Sequence, residues 1–506
     1  MPPAPAPSST YQAVDRELLW GQPPVVAAAL FHVVLWTLGP ALFFGNLHSD
    51  TLEAAYWGRD LALGYAKHPP LATWLIDAAL RPGWPPIFSL MALSQAGMAI
   101  AALFVWKTVR LYASTRTAGL AVALFLVSPS ATIYAVQVNH NSLLAPFWAA
   151  TMYFGVLYLE ERRLRDAIFL GLAAGLGFIT KYELAFLLIC LVAMAGIVPR
   201  FRAAFAAPAS YLSVVLFLAI IAPHVWWSYA NGWPSASRAF GADKMRSVAT
   251  LNLSGVNAIV GVFTLYIAPV AILYGTMSRR PHRNSVRASD VKPIGQALAF
   301  VPMIALLGGA MVTMQIVKPL WVLALASSVA AGLALLFPAG PREGGLGETA
   351  SAKILAGVSL TVFAGFLAYL YIVGALGKAL AAYSADTRKL ALAATDMWSQ
   401  RQKGPLSCLV ISDRKIAAAG VLFLPGRPDF VDFSSQAWAT PRQIADCRRT
   451  GAIAALAFNT SELDSFPGAC RESLVRFSVP AMPGMGRLAW PIDLVYIPPE
   501  GQGCSR

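Results

Sequence analysis

Charge is what this chain has least of: only 13% of its 506 residues are Asp, Glu, Lys or Arg, against 57% hydrophobic residues. A soluble domain could not solvate that much apolar surface, which excludes an ordinary water-soluble globule and points to a protein that crosses a membrane many times. Acid is the scarcer sign, with 25 Asp and Glu against 39 Lys and Arg. The basic excess clusters at the ends of apolar runs, as the positive-inside rule expects, so it does not signal nucleic acid. The six histidines and five cysteines show no zinc-type spacing. No small-residue cleavage site follows the first apolar run, and a polar, Pro-rich leader precedes it, so no cleavable signal peptide is expected. Solenoid-type repeats are lacking, and the leader "PPAPAPSS" is the one low-complexity tract.

What is there is a series of apolar segments. The sequence predicts about eleven spanning helices, each long enough or nearly so to cross about 30 Å of hydrocarbon at about 1.5 Å per residue. They fall at 24–46, 85–106, 117–136, 143–159, 167–180, 183–198, 207–227, 254–277, 294–317, 319–338 and 352–375. Arg110 and Arg116, Arg162, Arg163 and Arg165, Arg200 and Arg202, Arg279, Arg280, Arg283 and Arg287, and Arg342 occupy alternate loops. Those loops are predicted to be cytoplasmic, with the N-terminus inside and the C-terminal tail outside. The expected organisation is a cytoplasmic segment (1–23), a transmembrane domain (24–376) with a first outer loop at 47–84, and a periplasmic domain (377–506).

This topology gathers five polar interruptions on the outer face: "HSDTLEAAYWGRDLALGYAKHPPLATWL" (48–75), "VQVNHNSLL" (136–144), "TKYE" (180–183), "PHVWWSYANGW" (223–233) and Lys318. The tail carries "PLSCLVIS", "GVLFLPG", "DFVDF", "AIAALAF" and "SLVRFSV", short β-rich runs with one helical stretch near 440–449, which reads as a small α/β domain. Cys408, Cys447, Cys470 and Cys504 fall there, while Cys190 is inside a span. An oxidising compartment permits disulfides among the four, and three pairings are open.

In the first loop, Asp50 suits an N-cap and Glu53 a capping-box partner, starting a surface helix with Leu52, Tyr56 and Leu63 inward. The same three-residue spacing turns both carboxylates to one side, where they could serve one pocket as general base and companion. His68, in "HPP", precedes prolines that stiffen the chain before the next helix. Lys67, Lys181 and His224 are candidates for binding a phosphate at the bilayer surface. Their alternatives are interfacial snorkelling for the lysines and a core histidine bonded to a backbone carbonyl for His224. Asn139, His140 and Asn141 are either helix-end caps or groups of an acceptor or metal site. Trp227, with Trp226, Tyr229 and Trp233, fits an interfacial aromatic belt or a sugar-stacking surface. A divalent metal near Asp50, Glu53 and His68 is conceivable, but no ligand set there is diagnostic.

Several ordered motifs then carry a resemblance. An acidic pair after the first span followed by "GYAKHPPLATWL", then "NHNSLLAPFW", "GLGFITKY" and "PHVWW", resembles the bacterial glycosyltransferase family 39 type. These are relatives of protein O-mannosyltransferases and of lipid A aminoarabinose transferases, within the GT-C superfamily. The resemblance covers most of 45–240 and extends weakly to "LFLPGRPDF" and "SSQAWAT". It implies transfer of a sugar from a polyprenyl-phosphate donor to lipid A or lipopolysaccharide core, another glycolipid or a protein, at the outer face of a bacterial inner membrane. It maps the family's catalytic carboxylate onto Asp50; many relatives have Asp-Glu adjacent, where this chain reads Asp50-Thr51-Leu52-Glu53. Since the lipid phosphate is already a good leaving group, the chemistry needs a base and a cation for the phosphate, and a single displacement inverts the sugar. The competing expectation is a lipid or glycan transporter or flippase, which fits the spans but would place its charges at mid-membrane.

Overall fold

A computed structural model describes residues 23–240, 288–312, 319–338, 346–375, 383, 385–424, 426–432, 441–457, 468–480 and 489–504. The expected span at 254–277, Lys318, the "SSQAWAT" motif and the segment before residue 23 lie outside them. Among the described residues, six helices are long and apolar enough to cross a membrane: Pro24–Phe43, Pro86–Arg110, His140–Glu161, Pro208–Ala230, Val291–Gly309 and Ala352–Val373. The chain is a multi-pass membrane protein.

In chain order the helices of the first half are α1 (Pro23–Phe43), α2 (Ser49–Trp57), α3 (Leu71–Leu80), α4 (Pro86–Arg110), α5 (Thr115–Val127), α6 (His140–Glu161), α7 (Leu164–Phe178), α8 (Leu184–Ile197), α9 (Arg202–Phe205), α10 (Pro208–Ala230) and α11 (Pro234–Phe240). Four expected spans take other forms. The one at 117–136 ends at Val127, because Ser128 turns extended ahead of Pro129 and the chain continues in turns to Asn139. The 167–180 run is α7, of 15 residues. The 183–198 run is α8, which bends by 112° into Pro199–Phe205, where a proline stands at the break. The 319–338 run holds a short 3-10 turn and a 12-residue helix.

The second half adds α12 (Ala288–Val312), α13 (Leu325–Leu336), α14 (Leu346–Ala375), α15 (Thr387–Ser399) and α16 (Pro441–Thr450), with strands β1 (Cys408–Ile411), β2 (Asp429–Asp432), β3 (Ala452–Leu456), β4 (Cys470–Pro480) and β5 (Ala489–Ile497). The strands form one sheet in the order β2-β1-β3-β5-β4, with β1 parallel to both neighbours and β5 antiparallel to both of its own. β1 and β3 are buried along their length, which fits their unbroken apolar runs. "GVLFLPG" is not a strand: Ala419–Phe423 form a π-helical turn. Its apolar run lacks the alternation that would separate strand from helix. The disulfides are Cys408–Cys447, joining β1 to α16, and Cys470–Cys504, joining β4 to the C-terminal stretch.

Two apolar clusters organise the chain. One joins α4, α5, α6, α8, α12 and α13, with Trp148, Phe125 and Met98 fully buried. The other runs from Trp36 of α1 through α2 and α3 into the sheet and its helices, ending at residues such as Phe430, Leu409 and Ile492. The C-terminal sheet therefore shares its core with the first loop. At one end of the bundle, Tyr112 (after α4), Glu160 (end of α6) and Arg200 (after α8) meet, with Glu160 accepting from Tyr112 at 2.6 Å and from Arg200 at 2.9 Å. Three of the basic loops thus share an end, and α6 runs from there to the opposite end at His140.

Candidate active site

The site begins with a short helix that does not start as its spacing predicts. His48, not Asp50, is the N-cap of α2: its ring accepts from the Asp50 backbone N–H at 3.3 Å. Asp50 lies in the first turn with its side chain 40% exposed, and Glu53 points inward with only 5% of its side chain exposed. The capping-box reading of Glu53 fails, because the carboxylate is paired with the Lys67 ammonium instead. Leu63 is exposed rather than inward, since α2 ends at Trp57 and the loop beyond is not helical.

Pro70 caps α3, and together α2 and α3 wall a small cavity that opens to solvent. It is lined by Asp50, Glu53, Ala54 and Trp57 from α2, His68, Ala72 and Thr73 from the "HPP" loop and α3, and His140 from α6. The His68 and His140 rings lie against one another with centroids 3.6 Å apart. Four residues singled out in the sequence, Asp50, Glu53, His68 and His140, therefore meet in one pocket. Lys67 reaches its edge through Glu53 and lies 5.7 Å from the centre of the Trp57 ring. Burial pushes the Glu53 carboxyl above its ordinary range; the Lys67 charge and hydrogen bond work against that rise, and Asp50 adds slightly to it.

A second polar group lies behind His140. Asn139 caps α6, with a reciprocal bond between its backbone and Ser142 at 3.1 Å. The Asn141 amide donates to His140 Nε2 at 3.1 Å and to Asn139 Oδ1 at 3.0 Å. Lys181, buried between α7 and α8, donates to Asn141 Oδ1 and pairs with Glu183. A chain of contacts thus leads from Glu183 through Lys181 and Asn141 to the imidazole pair in the cavity.

His224 and Trp227 do not line the cavity; they hold the first loop. His224 Nδ1–H donates to the Leu63 carbonyl at 2.8 Å and its Nε2 accepts from the Tyr182 hydroxyl at 2.7 Å, which engages both ring nitrogens. Trp227 lies so close to Gly64 that a Cβ there would stand 2.2 Å from the indole and 2.9 Å from His224 Nδ1. Gly64→Ala should push the loop off α10 and lower stability by about 1–3 kcal/mol, the usual cost of overpacking. A melting curve in detergent checks this, and an unchanged midpoint would refute the contact. Among the described residues, one group of three metal-type ligands lies close enough to bind an ion, Cys470, Glu472 and Cys504, and both of its sulfurs are in a disulfide.

Trp57 and Thr73 also line the cavity, and their residue types alone do not mark them as site residues. Trp57 stacks parallel on Tyr65, with centroids 5.7 Å apart, so its ring is held in place. The signal for Trp57 was its place four residues after Glu53, on the same face of a helix.

Residues 67–227 match the family model described as dolichyl-phosphate-mannose-protein mannosyltransferase. The match covers about a third of the chain. The matched segment contains Lys67, His68, Asn139, His140, Asn141, Lys181, His224 and Trp227, and Asp50 and Glu53 lie just before it. Among characterised proteins, the chain is 27% identical over 207 residues to the lipid A galacturonosyltransferase RgtD of Rhizobium johnstonii, covering 40% of this chain and 42% of that one. It is 25% identical over 256 residues to the lipopolysaccharide core galacturonosyltransferase RgtA of the same organism, covering 46% and 48%. The aligned region thus spans less than half the length of either relative. Among solved structures, ArnT from Cupriavidus metallidurans bound to undecaprenyl phosphate aligns with 94% of this chain and 98% of its own, at 12% identity and a TM-score of 0.48. The oligosaccharyltransferase AglB from Archaeoglobus fulgidus aligns with 84% and 65%, at 14% identity and a TM-score of 0.44.

Proposed function

We propose that the chain is an integral membrane glycosyltransferase that moves a hexuronic acid, such as galacturonic acid, from a polyprenyl-phosphate donor to lipid A or the lipopolysaccharide core. The observation that carries this reading is the cavity that joins Asp50 and Glu53 to His68 and His140 of the matched segment. The activity of the two Rhizobium relatives supports the sugar and the acceptor. The cavity opens at the end of α6 opposite the basic loops, which supports a periplasmic site, a cytoplasmic N-terminus and residence in the inner membrane. The two disulfides of the C-terminal region support a periplasmic 377–506 domain, since such bonds persist in oxidising compartments.

In this mechanism an acceptor hydroxyl enters the cavity, and Asp50, the more open carboxylate, takes its proton as the oxygen attacks the sugar's anomeric carbon. The bond from that carbon to the phosphate oxygen breaks in the same step, and polyprenyl phosphate leaves with the electron pair. Lys67 and Lys181 are the cations that neutralise the departing phosphate, and attack opposite the leaving group inverts the anomeric centre. His224 and Trp227 act by holding the loop that carries Lys67.

The test is turnover by the purified protein in detergent, with polyprenyl-phosphate-galacturonic acid as donor and lipid A or its core oligosaccharide as acceptor. Mass spectrometry should find the acceptor heavier by one hexuronic residue, with its anomeric configuration opposite to the donor's. No donor consumption in the absence of any compartment would sink the enzyme reading in favour of a transporter.

A further inference from the structure

The loop between the π-helical turn and β2 departs from ordinary backbone geometry. Gly426 and Arg427 both have positive φ, 75° and 45°. For glycine this costs nothing, but for arginine the left-handed region is unfavourable and needs compensation from the surroundings. The compensation is specific. The Arg427 guanidinium donates to Asp77 on α3 at 2.8 Å, while its carbonyl accepts from Arg59, just after α2. Two residues on, Asp429 accepts from Arg59 at 2.6 Å and from the Tyr56 hydroxyl of α2 at 3.1 Å. Gln443 of α16 donates to that hydroxyl at 2.6 Å, and the Tyr56 ring packs on Phe430 with centroids 4.2 Å apart.

The elements gripped in this way are the walls of the cavity. Glu53, Ala54 and Trp57 flank Tyr56 on α2, and Ala72 and Thr73 precede Asp77 on α3. The two helices touch at Gly58, where a Cβ would stand 2.8 Å from the Asp77 side chain and 3.0 Å from the Thr73 carbonyl. With nine and ten residues, neither helix is long enough to be stable by itself in water. Their relative position therefore depends on what packs behind them.

We propose that Arg427 and Asp429 are positioning residues of the active site: one strained turn of the C-terminal sheet, reaching α3 with a guanidinium and α2 with a carboxylate, fixes the separation of the cavity walls and so the aim of Asp50. This rests on the glycosyl transfer proposed above. Neither residue touches substrate. Misplacement of a reacting group by about 1 Å can cost about a hundredfold in rate.

The experiment compares Arg427→Ala, Arg427→Lys, Asp429→Ala and the near-isosteric Asp429→Asn in the full-length protein in detergent. Steady-state kinetics and hydrogen–deuterium exchange are followed on the same samples. For both alanine variants kcat should fall by about ten- to a hundredfold with KM changed by less than roughly threefold. Exchange should rise in 49–57 and 71–80 and stay at the wild-type level in 86–110. Arg427→Lys, which retains a donor for Asp77, should recover most of the loss. Wild-type kcat in both alanine variants, or a rise in exchange spread evenly over all helices in the alanine variants and in Asp429→Asn, would overturn the proposal. Should the wild-type protein transfer no sugar, the proposed function fails, and the exchange pattern still decides whether this turn holds the two helices.

Discussion

Asp50→Asn should abolish sugar transfer while leaving the protein folded. The substitution keeps the shape of the side chain and removes its ability to take a proton. General-base catalysis by a positioned carboxylate is worth about 10²–10⁴ in rate, so kcat should fall by that factor. Because the Asp50 side chain is 40% exposed and approaches the N-cap His48 only to 3.8 Å, stability should move by no more than about 0.5 kcal/mol. KM for the donor should be little altered, since the donor phosphate is assigned to the lysines. The measurement is single-turnover transfer by the purified variant, with its melting midpoint as control. Transfer at the wild-type rate would remove Asp50 from the mechanism and leave the buried Glu53 as the carboxylate to examine. The two carboxylates are thus distinguished by environment rather than by spacing, one open to the cavity and one already neutralised by a cation.

That distinction was not available from the sequence. Asp50 and Glu53 three residues apart suit a cap as well as a pocket, and which applies depends on Lys67, fourteen residues on, folding back across the loop. His68 and His140 were legible as polar interruptions because a histidine beside prolines and another inside "NHNS" stand out in an apolar chain. Their contact was not, because it brings together α6 and a loop between α2 and α3. The long helices were readable from composition, whereas the shorter ones at 115–127 and 325–336 were overextended because apolar content does not mark where a turn begins. β5 escaped notice since Pro491 and Asp493 interrupt its pattern; Asp493 is tolerated because Arg476 on β4 pairs with it at 2.8 Å. Arg427 and Asp429 fall inside "LFLPGRPDF", marked only by a weak resemblance, and their contacts are not legible locally: the partners are about 350 and 370 residues away, and a salt bridge at that separation leaves no local trace.

The Glu53–Lys67 pair should separate folding from catalysis. The side chains are 5% and 17% exposed, and removing one member of a buried ion pair costs about 3–5 kcal/mol, because the other charge is left without compensation. Lys67→Met should therefore lower stability strongly, and the loss should depend on pH in a definite direction. Burial already raises the Glu53 carboxyl above its unfolded value, and without the opposing ammonium it rises further. A carboxyl whose folded pKa is raised holds its proton more tightly when folded. The variant should then be least impaired below the unfolded pKa and lose stability as pH rises through the folded one. Glu53→Gln in the same chain removes the uncompensated charge, so the double variant should recover most of the stability and lose the added pH dependence. Turnover should not recover with it. If Lys67 neutralises the leaving phosphate, kcat of the double variant should remain about 10²–10³ below wild type, the usual cost of deleting one electrostatic contact to a developing charge. Melting midpoints across pH and kcat measured on the same preparations decide the matter. Recovery of both stability and kcat would make the pair a structural tie and leave the phosphate to Lys181, whose contacts with Asn141 and Glu183 are independent of it.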